Sequence, residues 1–148
     1  MIKIICVGKI KEKYFIEAIK EYQKRLSKYT KLEIIELPDY NYDIKKTLDT
    51  EGKNILSKIK EKDFVVTMEI NGNNLSSEEF SSFIDKNISN NITFIIGGSN
   101  GLSSDVLKRS DYRLSFSSLT FPHQLFRIIL LEQIYRSFKI INNESYHK

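Results

Sequence analysis

Apolar and polar positions alternate in blocks along the chain. Strand-length apolar runs recur at "IKIICVG", "KLEIIEL", "DFVVTMEI", "NITFIIG" and "YRLSF". They are rich in Ile, Val and Phe and show little period-two alternation, the pattern of strands covered on both faces. Between them the spacing predicts helices over residues 12 to 28, 44 to 59 and 76 to 88. Ser76 and Glu79 stand at capping-box separation at the start of the third. A last long helix is predicted from His123 to Ile141. There Leu130, Leu131, Ile134, Tyr135, Phe138 and Ile141 form one apolar stripe, and Leu125, Ile129 and Ile140 occupy another side. A helix apolar around so much of its girth needs cover on more than one side, from a core or from a second subunit. Strands alternating with helices give an α/β fold with a mainly parallel sheet. Neither Pro38 nor Pro122 begins a linker, and no repeat divides the chain, so one domain over residues 1 to 148 is expected.

Composition narrows the chemistry. A chain of 148 residues can bury a core without disulfide or metal staples. The net charge of +4 is compatible with a polyanionic partner, but Lys9, Lys11, Lys13, Lys20 and Lys24 read first as solvated helix faces. Cys6 sits in an apolar run as a small hydrophobe, and only His123 and His147 accompany it, so no metal site is expected. No segment approaches the roughly 20 apolar residues of a membrane span, which leaves the cytoplasm as the expected location and a membrane excluded as partner.

Ligands of open α/β sheets gather beyond the carboxyl ends of the strands. Three turns there carry candidate chemistry. One follows "FVVTMEI" and contains Met68, Glu69 and "NGNN"; one is "GGSNG" at 97 to 101; one is "FSSLTFPH" at 116 to 123. Glycines at 97, 98 and 101 allow close backbone approach to a ligand, or simply turn the chain. The turn lacks the Lys-Ser/Thr ending of a P-loop, and no carboxylate follows about 20 residues on to hold a ribose, which disfavours a nucleotide-dependent oxidoreductase. Ser117, Ser118 and Thr120 could hold a polar ligand or cap a helix. His123 and Arg127 share a helix face; Arg127 lies beside the apolar stripe, as a structural ion pair or a substrate contact. Arg136 pairs with Glu132 at i, i+4, and the tail "NNESYHK" brings Tyr146 and His147 to the end of the chain.

Taken together, "VGK.KEKY", "IGGSNGL" at 96 to 102, "LSFSSLTFPHQLFR" at 114 to 127, "LLEQIYR" and the closing "YHK" resemble the RlmH family of SPOUT methyltransferases over the whole chain. The resemblance implies an α/β-knot fold, with a trefoil knot in the carboxyl-terminal part. It implies methyl transfer from S-adenosylmethionine to N3 of a pseudouridine in helix 69 of 23S rRNA, by a homodimer acting on the bacterial ribosome. It places the donor on Met68, Gly97 and the run Phe116, Ser117, Ser118, Leu119, Thr120 and Phe121, and puts His123, Arg127, Arg136, Tyr146 and His147 in an active site shared across the dimer. Met68 stands where the family commonly has leucine. In the mechanism expected from this, His147 or a water accepts the N3 proton, Arg127 stabilises the developing anion and Tyr146 stacks on the base. A ribosome-binding protein of the same fold without catalysis is the alternative.

Overall fold

The computed structural model describes residues 1–148. Ten elements follow in order: β1 (Ile2–Val7), α1 (Lys13–Leu26), β2 (Leu32–Leu37), α2 (Ile44–Ser57), β3 (Phe64–Asn74), α3 (Ser77–Asn87), β4 (Ile92–Ile96), α4 (Ser104–Arg109), β5 (Tyr112–Ser115) and α5 (His123–Ile141). The five strands make one wholly parallel sheet in the order β2-β1-β4-β3-β5.

Alternate residues of the central strands face opposite layers. Ile4, Cys6, Val66, Phe94 and Leu114 pack with Leu26 of α1, Phe80 and Ile84 of α3, and Leu130, Leu131, Ile134 and Phe138 of α5. Ile5, Val7, Val65 and Ile95 pack with Ile55 of α2 and Val106 of α4. Every residue of β1 and β4 is buried, as the continuous apolar runs predict for strands covered on both faces. β2 departs from that expectation: it is an edge strand and stays half-exposed along most of its length. The expected capping box forms, with Glu79 N–H donating to Ser76 Oγ at 3.1 Å and Ser76 N–H to Glu79 Oε1 at 2.9 Å.

Two local features differ from the sequence reading. α4 is too short to leave a periodic signature; Ser103 starts it by accepting from the Val106 N–H. "NGNN" is not a loop after β3 but its continuation. β5 pairs first with Val66 to Met68 and then with Asn73 and Asn74, so residues 69 to 72 bulge from the ladder. Gly72 is required there, since a Cβ would lie 2.8 Å from the Leu114 carbonyl carbon.

Cys6 is fully buried, and desolvation pushes its thiol up to about 11. A neutral buried thiol is a poor nucleophile. We therefore expect Cys6 to resist a thiol-specific disulfide reagent at pH 8 in the native protein and to react within seconds once denaturant is added; fast labelling without denaturant would contradict this packing.

Candidate functional site

Because all strands are parallel, the bulged part of β3 and the segments leaving β4 and β5 meet at one edge of the sheet. They enclose a half-open cleft of about 450 Å³, within the usual size of small-molecule sites. Its walls come from the β3 bulge (Met68 to Asn71), the glycine turn (Ile96 to Leu102), the turn after β5 (Leu114 to Ser117, Leu119 to Phe121), and His123 and Phe126 at the start of α5.

The glycine turn is tightly made. Gly98 and Gly101 form an isolated bridge, Gly101 N–H donates to Gly98 O at 3.1 Å, and Gly101 has φ +82°. A Cβ on Gly97 would come within 2.6 Å of Gly101 O and 2.9 Å of Gly101 C and Leu102 Cδ2. One on Gly101 would meet nothing within 4 Å, so the turn opens a glycine-lined cradle on that side. Beneath the turn, Glu51 of α2 is buried, with Oε2 accepting from the Tyr40 N–H at 3.0 Å and Oε1 unpartnered. The third turn is closed by its own serines: Ser115 Oγ donates to Ser117 O at 3.1 Å, and Leu119 N–H donates to Ser117 Oγ at 3.0 Å. Ser117 Oγ is thus engaged in shaping the turn, leaving backbone and the Thr120 side chain as polar surface toward the cleft.

The structure brings Met68, Gly97, Phe116, Ser117, Leu119, Thr120, Phe121 and His123 onto one cleft; Ser118 belongs to the same turn but not to the wall. Phe126, one turn after His123 on α5, and Leu102 also line it. Sequence reasoning passed over both, although Phe126 shares the helix face of His123 at i, i+3.

Arg127 lies off the cleft. It is 3% exposed, with Nη1 2.6 Å from Glu36 Oε2 and Nη2 donating to Gly8 O at 2.6 Å and Val7 O at 3.4 Å. Of the two roles left open for it, the ion pair is formed. Glu36 was not anticipated, because a carboxylate on an edge strand carries no mark of its partner.

The remaining candidates form a second cluster on the α3 and α5 side. Arg136 is half-buried rather than freely solvated. Its Nε donates to Glu132 Oε1 at 2.8 Å, its Nη1 lies 3.0 Å from His147 Nδ1, and its guanidinium sits 4.8 Å over the Tyr146 ring. Tyr146 packs edge-on against Tyr135 at 5.0 Å, and His147 Nε2 lies 2.6 Å from Glu78 Oε1, which holds that carboxyl below its usual range. An arginine can only donate, so Nδ1 accepts and Nε2 carries the hydrogen toward Glu78. The tail is docked on α3 and α5, and its imidazole has both nitrogens engaged. Neither Tyr146 nor His147 lines the cleft of its own chain.

No helix is long and apolar enough to cross a membrane, and no group of three His, Cys, Asp or Glu side chains could hold a metal. A family model described as "Predicted SPOUT methyltransferase" matches residues 1–147. The chain is 56% identical over 157 aligned positions to "Ribosomal RNA large subunit methyltransferase H 1" of Clostridium perfringens (strain SM101 / Type A), covering 99% of each chain. It is 55% identical over 154 positions to "Ribosomal RNA large subunit methyltransferase H" of Caldicellulosiruptor bescii, covering all of both chains. To the protein of that name from Carboxydothermus hydrogenoformans it is 53% identical over 157 positions.

Proposed function

Because the chain belongs to the SPOUT methyltransferase family, we propose that its cleft binds S-adenosylmethionine and that it methylates N3 of a pseudouridine in helix 69 of 23S rRNA. It is a ribosomal RNA methyltransferase, as its full-length likeness to enzymes of that name establishes. The family carries an α/β-knot fold, and the parallel five-stranded sheet accords with it. The observation that carries the donor assignment is the convergence of three turns on one cleft with a glycine cradle on one side and Phe116, Phe121 and Phe126 among its walls. Aromatic faces suit an adenine, and the backbone that Met68, Gly97 and the 115–121 turn bring to the cleft wall suits its polar edge and the ribose.

The bound donor supplies an electrophilic methyl group, so the protein need only align the base nitrogen and assist proton loss. The chain's own residues divide that work. The β3 bulge and the two turns hold and desolvate the donor. His123 stands at the cleft wall, beside the incoming base. Tyr146 and His147 come from the second copy of a homodimer, whose α3 and α5 face lies against this cleft; Tyr146 stacks on the base and His147 accepts the N3 proton. Arg136 positions that imidazole, and its contact to Nδ1 must be released before the ring can act as a base. Arg127 is a positioning residue that ties the start of α5 to Gly8 and Glu36. The setting is the bacterial cytoplasm, where ribosomes are found.

The test is incubation with labelled S-adenosylmethionine and ribosomes lacking the modification, followed by mapping of the labelled nucleotide. One methyl group per ribosome at N3 of a helix 69 pseudouridine is the expected product; label elsewhere in the RNA would overturn the target assignment, and no transfer from this donor would overturn the donor assignment.

A further inference from the structure

One cationic segment beside the cleft has no part in the chemistry above. The chain leaves β1 next to the glycine turn, so close that a Cβ on Gly98 would lie 3.2 Å from Val7 Cγ1. It turns at Gly8, with φ +98°, and runs through Lys9, Ile10, Lys11 and Glu12 into α1. Ile10 is buried and anchors the loop, while Lys9, Lys11, Lys13 and Tyr14 face solvent, Tyr14 at 63% exposure. The lysines read from sequence as helix-face solvation therefore include two on a loop.

That loop is fixed along its backbone. Gly8 N–H donates to Leu37 O at 2.7 Å, and Gly8 O accepts from Arg127 Nη2 at 2.6 Å. Ile10 N–H donates to Glu36 Oε2 at 2.9 Å, and Lys11 N–H to Gln124 Oε1 at 3.4 Å. Gln124 adjoins His123, itself on the cleft wall. The ion pair of buried Arg127 with exposed Glu36 thus ties the loop to the start of α5, which also carries the cleft-wall residue His123. None of the three lysines enters an ion pair within the chain. Glu12 is the one carboxylate between residues 8 and 14, and Glu36, which accepts from the loop's Ile10 N–H, is matched by Arg127. Three unpaired ammonium groups on a pinned backbone, with an exposed aromatic ring beside them, match a sugar–phosphate chain carrying an unstacked base.

We infer that Lys9, Lys11 and Lys13 bind the RNA backbone beside the target nucleotide, with Tyr14 as a stacking platform, so that this loop sets the register of the substrate over the cleft. The inference rests on the reading of the cleft as the site of RNA methylation. It assigns the loop to phosphate contacts, which position the substrate without reading its sequence.

The experiment compares the wild-type protein with a K9Q/K11Q/K13Q variant and with K45Q/K46Q/K53Q, which removes three exposed lysines of α2 instead. Binding to unmodified ribosomes is measured without donor across a range of salt, and donor affinity is measured separately by calorimetry. The loop variant should bind ribosomes about tenfold or more weakly near 0.15 M salt, with the log–log salt slope shallower by about 2, close to 0.7 per lost phosphate contact. Its affinity for S-adenosylmethionine and its melting temperature should match the wild type, and the α2 variant should bind ribosomes normally. Loop and α2 variants with equal ribosome affinity and slope would overturn the inference. A wild-type protein that binds ribosomes but not S-adenosylmethionine would overturn the donor reading instead, leaving the ribosome comparison to decide the loop.

Discussion

Removing Ser145 to Lys148 should lower kcat for ribosome methylation by about 100-fold or more while leaving the donor Kd within about twofold, because a positioned proton acceptor contributes on the order of 10² to 10⁴ in rate. The split follows from where the groups sit. The donor walls come from residues 68 to 126, and no tail residue of the same chain is among them. The truncation also removes the Tyr146 contacts to Tyr135 and Arg136, an edge-on aromatic pair worth about 1 kcal/mol. His147→Ala separates the two effects, since it keeps Tyr146 packed. We expect it to show most of that loss of kcat, with a melting temperature lowered by no more than a few degrees through loss of the exposed contact to Glu78. Wild-type turnover by both proteins would remove the tail from the mechanism.

Gly97→Val should weaken donor binding by about 100-fold, or about 2.7 kcal/mol. The Cβ cannot be accommodated by a side-chain rotation, because two of the three atoms it meets are the backbone O and C of Gly101, at 2.6 and 2.9 Å. The turn itself must move, and with it the cradle. The strand that leads into the turn, β4, is buried along its whole length, so circular dichroism should stay native. Unaltered affinity in a folded protein would mean that the donor sits elsewhere.

The two variants together test the shared site. If one subunit's tail serves its partner's cleft, mixing the tail-less protein with Gly97→Val creates heterodimers in which one cleft is whole. Random reassortment should then restore about a quarter of wild-type activity from two inactive parents. No recovery, with heterodimers demonstrated, would place tail and cleft in the same chain.

Much of this architecture is legible in the sequence alone. β1 and β4 are buried on both faces, so their side chains must be apolar throughout, and the runs stand out. α3 announced itself through Ser76 and Glu79 because a capping box is local chemistry. The strand order was not legible, since nothing in "NITFIIG" records that it lies between β1 and β3. The Gly72 bulge escaped because its cause is a neighbour 42 residues away, Leu114. The cleft lies between these extremes. The motifs and their family resemblance pointed to the three turns, but their meeting depends on parallel strands ending at one sheet edge. Arg127 shows the limit most clearly. Its spacing from His123 put both on one helix face, yet its partners Glu36 and Gly8 lie about a hundred residues earlier, and only the fold reveals that its charge is already matched.

The most direct measurement is a crystal structure of the protein grown with S-adenosylmethionine. The account predicts a dimer with the adenosyl group between the 68–71 bulge, the 97–101 turn and the 115–121 turn, and with Tyr146 and His147 of the second copy at the mouth of the same cleft. Donor density away from these three turns, or a cleft closed by the protein's own side chains while the donor binds elsewhere, would contradict it.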